Sequence, residues 1–170
     1  MQLVRGATAL DTDAFLELID NNTDRMYKTA WAILGNEADA ADAIQETILD
    51  CYEKLNTLRH PEYFTTWLTR ILINNCLSIR RQYRTDSLPE QMPEIPVEDK
   101  YEEGGFEELI SDVDEKYRLI LTLYYADELS VAEIADLLEM KENTVKTRLA
   151  RGREQVRRYL DEQNKLSGVR

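Results

Sequence analysis

Residues 129–153 read LSVAEIADLLEMKENTVKTRLARGR, and this stretch decides the fold of the C-terminal half. Ser130 and Glu133 have the spacing of a capping box, in which each side chain satisfies a backbone N–H at a helix start. Ile134, Leu137 and Leu138 give the short helix that follows, over 131–138, a single apolar face. A turn at Glu139, Met140, Lys141 and Glu142 separates it from a second, more basic helix over about 143–160. Short helix, turn and basic helix describe a helix-turn-helix.

At about 100° per residue, the second helix divides into faces. Val145, Leu149, Gly152, Val156 and Tyr159 share one arc and are expected to pack on the domain, while Asn143, Thr147, Ala150, Arg151 and Arg158 lie opposite. Lys146, Arg153 and Arg157 flank that outer arc. A small-and-polar stripe rimmed by cations suits the major groove, where amides, hydroxyls and guanidinium groups read base edges and flanking charges meet phosphates. A solvated surface helix would carry the same cations, so the preceding capped helix is what tips the reading toward DNA.

The charge of the chain supports it only once divided. The net charge is −12. Residues 1–82 carry −4, residues 83–112 carry −8 and residues 113–170 are neutral, whereas 141–158 alone carry +5. Acid is thus concentrated mid-chain and base near the end. Pro89, Pro93, Pro96 and Gly104-Gly105 mark residues 83–105 as an acidic, flexible linker. The expected organisation is all-α: a helical domain over 1–82, the linker over 83–105, and a second helical domain over 106–170 carrying the helix-turn-helix. The C-terminal pattern resumes at Phe106 and runs through Ile110, Tyr117, Ile120, Leu121 and Tyr124.

Upstream, a helix capped by Thr12 or Asp11 runs from about Asp13 to Leu34, with Gly35 as its stop and Asn21-Asn22 as a possible break. A second helix spans about 37–55 and a third about 62–81, after His60-Pro61. On the second, Asp39, Asp42 and Glu46 form an acidic stripe with Ile44 and Ile48 turned inward; a solvated face reads the same way. On the third, Leu68, Ile71, Leu72 and Ile79 form the apolar arc, and Arg70, Asn74 and Arg81 fall within about 40° of one another opposite it. The aromatic loop Arg59-His60-Pro61-Glu62-Tyr63-Phe64-Thr65 precedes this helix. Rings, an amide and guanidinium groups together can hold an unstacked base, though Phe64 and Trp67 fit core positions as well.

Two blocks resemble one family. Residues 129–138 and 144–153 are similar to region 4 of extracytoplasmic-function sigma factors, with Glu139, Lys141 and Val113-Asp114 departing from the usual pattern. Asp39-Ala40-Ala41-Asp42-Ala43-Ile44-Gln45-Glu46, and Phe64 through Arg81 with Asn74, are similar to region 2 of the same family; Ala41 and Asp50 depart from its charge pattern. The resemblance implies a factor that gives core RNA polymerase its promoter specificity. Asp39, Asp42, Gln45 and Glu46 would contact polymerase. Arg59, His60, Tyr63, Arg70, Asn74 and Arg81 would contact the −10 element. Asn143, Thr144, Lys146, Thr147, Arg148, Ala150, Arg151 and Arg153 would contact the −35 element. It further implies an anti-sigma partner, commonly membrane-anchored, and a role in envelope stress.

Other classes fit less well. One histidine, His60, lacks a Cys or His partner at metal-ligand spacing, and no phosphate loop or nucleophile–His pair occurs, so no enzyme activity, metal or cofactor is expected. Cys51 and Cys76 sit in apolar helical patterns and are expected to be buried free thiols. Without a signal-peptide core or a membrane-length apolar run, the chain is expected to be cytoplasmic, not inserted in a membrane, and monomeric when free. A dimeric helix-turn-helix regulator with a helical sensory domain is the main alternative; it requires palindromic sites and DNA binding without polymerase. A carboxylate-based helical enzyme and a protein-binding adaptor are more distant ones.

Overall fold

A computed structural model describes residues 12–86 and 106–166 of the chain. The regular elements among them are all helical: α1 (Thr12–Asp20), α2 (Thr23–Leu34), α3 (Glu37–Lys54), α4 (Phe64–Asp86), α5 (Phe106–Ser111), α6 (Glu115–Tyr125), α7 (Val131–Leu137) and α8 (Glu142–Leu166). Short 3₁₀ turns at Leu55–Thr57 and Pro61–Tyr63 join α3 to α4.

The break at Asn21-Asn22 is real and has a local cause. Asn22 is buried and its amide donates to the Leu18 carbonyl at 2.8 Å, while the Thr23 hydroxyl donates to the Ile19 carbonyl at 3.1 Å. The Asn22 N–H turns to the Ile19 carbonyl at 2.9 Å, and its side-chain amide satisfies the Leu18 carbonyl left behind. Gly35 ends α2 in the left-handed region at φ 72°, donating to the Trp31 carbonyl as helix stops of this kind do. Asn36 then caps α3 by accepting from the Asp39 N–H at 2.9 Å. Asp11 lies outside the described residues. The third helix of the sequence reading begins as a 3₁₀ turn and becomes α-helical at Phe64; it runs on to Asp86, and the rest of the expected linker, 87–105, lies outside the described residues.

The expected continuous pattern from Phe106 to Tyr124 is two helices. Asp114 starts α6 in an extended conformation, and Gln155 of α8 clasps it from both sides. The Asp114 N–H donates to Gln155 Oε1 at 2.9 Å, and Gln155 Nε2 donates to the Asp114 carboxylate at 3.0 Å. That clasp and the Lys116 ammonium hold the Asp114 carboxyl below its ordinary range. The capping box forms as its spacing requires, with Glu133 N–H donating to Ser130 Oγ and Ser130 N–H to the Glu133 carboxylate.

Packing follows the apolar arcs. In the N-terminal half, α2, α3 and α4 pack on one another around Met26, Ala30, Ala40, Ala43, Cys51, Leu68, Leu72 and Cys76. In the C-terminal half, α6 packs on α8, and α7 on both, around Ile120, Leu121, Ile134, Val145 and Leu149. Full burial of a side chain such as Leu72 or Ile120 contributes about 1.5–3 kcal/mol. The halves also meet. α2 lies against α5 and α6, α4 touches α7, and the buried residues form one continuous core.

Candidate nucleic-acid and protein interfaces

The second helix of the helix-turn-helix, α8, divides as its sequence demands. Val145, Leu149 and Gly152 are buried and Val156 and Tyr159 half-buried, whereas Asn143, Lys146, Thr147, Ala150, Arg151 and Arg153 are exposed. Thr144 and Arg148 sit half-buried at the edge of the stripe. Glu139 closes the turn in the left-handed region at φ 53°, and Met140 N–H returns to the Ala135 carbonyl at 2.8 Å. That conformation is strained for a non-glycine residue. No capping side chain is needed at Lys141: its carbonyl receives Thr144 N–H at 2.8 Å and Val145 N–H at 3.2 Å.

The cations of α8 are differently held. Lys146 pairs with Glu142 at 3.4 Å, and Arg158 with Glu154 at 2.9 Å, both one turn along the same helix. Such exposed pairs contribute little and exchange readily for phosphate. Arg153 is placed by aromatic side chains: its Nε donates to the Tyr125 hydroxyl at 2.7 Å, and its guanidinium lies 5.3 Å and 5.5 Å from the Tyr124 and Tyr125 ring centroids. Arg151 engages the Tyr117 phenol, whose pKa it lowers. The sequence reading missed both tyrosine contacts.

On α4 the outer face holds Arg70, Asn74 and Arg81, all exposed. Asn74 is the amide on this face; its neighbour Asn75 turns inward and donates to Thr47 at 3.2 Å and to the Asp50 carboxylate at 3.0 Å. Lys54 also bonds Asp50, and with Asn75 it holds that carboxyl below its ordinary value. Asn75 thus pins α4 to α3. Arg81 donates to the Leu77 carbonyl at 3.1 Å. In the preceding loop Arg59, His60 and Tyr63 are exposed; Tyr63 presents an open ring 6.0 Å from that of His60. Phe64 is buried and Trp67 half-buried, so these two rings belong to the packing. Arg70 is not idle. It pairs with Asp136 of α7 at 3.0 Å, across the junction between the halves.

The acidic stripe of α3 is only partly free. Asp42, Gln45 and Glu46 are exposed and continue into Leu49 and Tyr52, whose apolar surfaces are also exposed. Asp39 is half-buried: it accepts from Asn36 Nδ2 and from the Tyr83 hydroxyl, each at 2.7 Å. The carboxylate raises the Tyr83 pKa and ties the start of α3 to α4. Among the described residues no cluster of His, Cys, Asp and Glu is arranged to hold a metal ion, and no helix is long and apolar enough to cross a membrane.

Known proteins fall on the same division. The family model described as Sigma-70 region 2 matches residues 18–85, and that described as Sigma-70, region 4 matches residues 104–156. The ECF RNA polymerase sigma factor SigW of Bacillus subtilis is 30% identical, with 88% of this chain and 90% of that protein aligned. The ECF RNA polymerase sigma factor SigE of Mycolicibacterium smegmatis is 31% identical over 85% of this chain and 60% of that protein. Among solved structures, the sigma factor RpoE in complex with the anti-sigma factor NepR from Bartonella quintana has the same fold, with a TM-score of 0.67 at 19% identity, covering 86% of this chain and 96% of that one.

Proposed function

The chain belongs to the extracytoplasmic-function sigma factors of RNA polymerase, and from that premise we propose how its surfaces divide the work of directing core polymerase to promoters. The first domain covers residues 1–86, to the end of α4, and the second 106–170, with 87–105 between them. The observation that carries the reading is the order of two exposed faces in one chain: the Arg70–Asn74–Arg81 face of α4 beside the open Tyr63 ring, then the Asn143–Arg153 face of α8.

α8 enters the major groove at the −35 element. Asn143, Thr147, Ala150 and Arg151 meet base edges; Thr144, Lys146, Arg148 and Arg153 hold the duplex at its edge. The Tyr124–Tyr125 contact orients Arg153, so less side-chain entropy is lost on binding. At the −10 element, Arg59, His60 and Tyr63 receive a base leaving the stack, Asn74 reads its edge, and Arg70 and Arg81 hold the backbone. Asp42, Gln45 and Glu46 of α3 form the polymerase contact, where charge and amide complementarity sets partner and register. Asp39 serves that contact indirectly, by fixing the start of the helix. An anti-sigma partner covers these surfaces in the inactive state, a reading supported by the likeness to RpoE as solved with NepR.

Transcription on source-genome fragments by purified core polymerase, with and without the protein, tests the reading. New 5′ ends sharing elements near −10 and −35 are expected. DNA binding as a dimer at palindromes, with no new starts from an active core enzyme, favours the ordinary regulator instead.

A further inference from the structure

The junction between the halves is built around a buried acid. The turn between α6 and α7 carries Asp127 into the crevice between α2 and α4, where it is 3% exposed. Thr29 of α2 donates to its Oδ2 at 3.1 Å and Thr69 of α4 at 3.5 Å; Oδ1 is buried without a hydrogen-bond donor among the described residues. Two weak hydroxyl donors are a poor substitute for water around a carboxylate. The turn itself is held by Asp127 N–H to the Thr122 carbonyl and Leu129 N–H to that of Leu123, with Glu128 left-handed at φ 56°. Around the carboxyl, α2 brings Arg25 and Lys28, the latter paired with Asp24. α4 brings Thr69 and, next along the chain, Arg70, which is taken up by Asp136 of α7; the turn adds Glu128. Further out, Arg80 of α4 chelates Glu115 of α6, and the Arg118 guanidinium of α6 lies 5.4 Å from the Trp31 ring of α2.

We propose that Asp127 is a protonation-gated latch between the two domains: with a neutral carboxyl they stay docked, and its ionisation favours their release and frees Arg70 for DNA. The inference rests on the proposed function in taking Arg70 as a DNA contact and the two domains as readers of separate promoter elements. Docked domains also cannot serve both promoter elements. Positions −10 and −35 are about 25 base pairs, roughly 85 Å of B-form duplex, apart. A compact chain of 170 residues has a radius of gyration of only about 15 Å. The exposed Arg70–Asp136 pair is too weak to hold the domains by itself; the packing of α2 against α6 within the shared core does that, and Asp127 opposes it when charged.

The direction follows from linkage. Burial lifts the Asp127 carboxyl to about 6, against an ordinary 3.8, with Thr29, Arg25, Thr69 and Lys28 only partly offsetting it. Released into water, the group regains its ordinary value. The docked state therefore binds the proton more tightly. Its extra stability is fully present below 3.8 and is lost as pH rises through about 6. From these values the open-to-docked ratio rises about tenfold between about pH 5 and 7.

The test uses the full chain labelled with a fluorophore pair at Glu17→Cys and Glu162→Cys, both exposed positions, since Cys51 and Cys76 are buried. Energy transfer is read from about pH 5 to 8. Wild type is expected to lose transfer on going up in pH, and Asp127→Asn to stay docked with a flat profile. The isosteric Thr29→Val, which removes a donor to the ionised carboxylate, is expected to move the midpoint upward. Equal profiles for wild type and Asp127→Asn, both with native helix content, overturn the latch; so does an unmoved Thr29→Val midpoint. A transcription assay with core polymerase separates the two claims: wild-type transfer that responds to pH, with no promoter-specific starts, overturns the function while leaving the latch standing.

Discussion

Gly152→Ala puts a methyl group where α8 crosses α6. A Cβ at Gly152 would stand 3.0 Å from both Leu121 Cγ and Cδ1 and 3.2 Å from Tyr117 Cβ. Leu121 is 1% exposed and Tyr117 6%, and the Tyr117 Cβ moves only with its helix. Two effects compete. Alanine favours the interior of a helix over glycine by about 0.8–1.0 kcal/mol, and overpacking a filled core costs about 1–3 kcal/mol. With Leu121 unable to swing its Cγ away, the second wins, and a net loss of about 1 kcal/mol is expected. At this chain length that lowers Tm by about 2–4 °C. Relief by tilting α8 would also displace the Asn143–Arg153 face. Thermal unfolding followed by circular dichroism gives the first number, and start-site usage on templates with a weakened −35 element reports the tilt. A Gly152→Ala protein about 1 kcal/mol more stable than wild type would show that helix propensity acts unopposed and that the crossing is looser than described.

The capping box supplies a second prediction: Ser130→Ala is expected to lower stability by about 1 kcal/mol in urea unfolding, and Ser130→Asp to restore most of it. Burial pushes the Cys51 and Cys76 thiols up to about 12, so neither is expected to react with a thiol reagent at about pH 8 until the protein unfolds. Asn75→Ala leaves the Asp50 carboxylate with one partner fewer and is expected to cost about 1–3 kcal/mol, read in the same urea titration. Asp50 has a depressed pKa, so its contribution is present above 3.8 and lost as pH falls through the lower, folded-state value. The stability difference between wild type and Asp50→Asn is expected to shrink in that acid range.

What was legible in the sequence was whatever depends on neighbours a turn or two away. The capping box at Ser130, the interruption at Asn21-Asn22 and the stop at Gly35 each rest on contacts within a few residues, and the inward arc of α8 follows from its own helical period; each appears as its spacing implies. The start of α6 was not legible, because the residue that settles it, Gln155, is 41 positions from Asp114. Asn75 could have been found: it shares the arc of Leu72 and Cys76, so its amide had to point into the α3 contact. The docking of the halves had no local signature. Asp127 meets Thr29 across 98 positions and Arg70 meets Asp136 across 66. Helical periodicity shows that Arg70 is on an outer face but not what stands opposite it. The family resemblance supplied the partners of each face; the structure added which side chains are already engaged.

The division of labour between α4 and α8 is tested most directly by start-site selection with core polymerase on two template libraries, one randomised at the −10 element and one at the −35 element. Asn74→Ala is expected to relax base preference in the first library and leave the second unchanged, and Arg151→Ala to do the reverse. A loss of preference in the opposite library for either variant, or in neither, would contradict the assignment of the two faces.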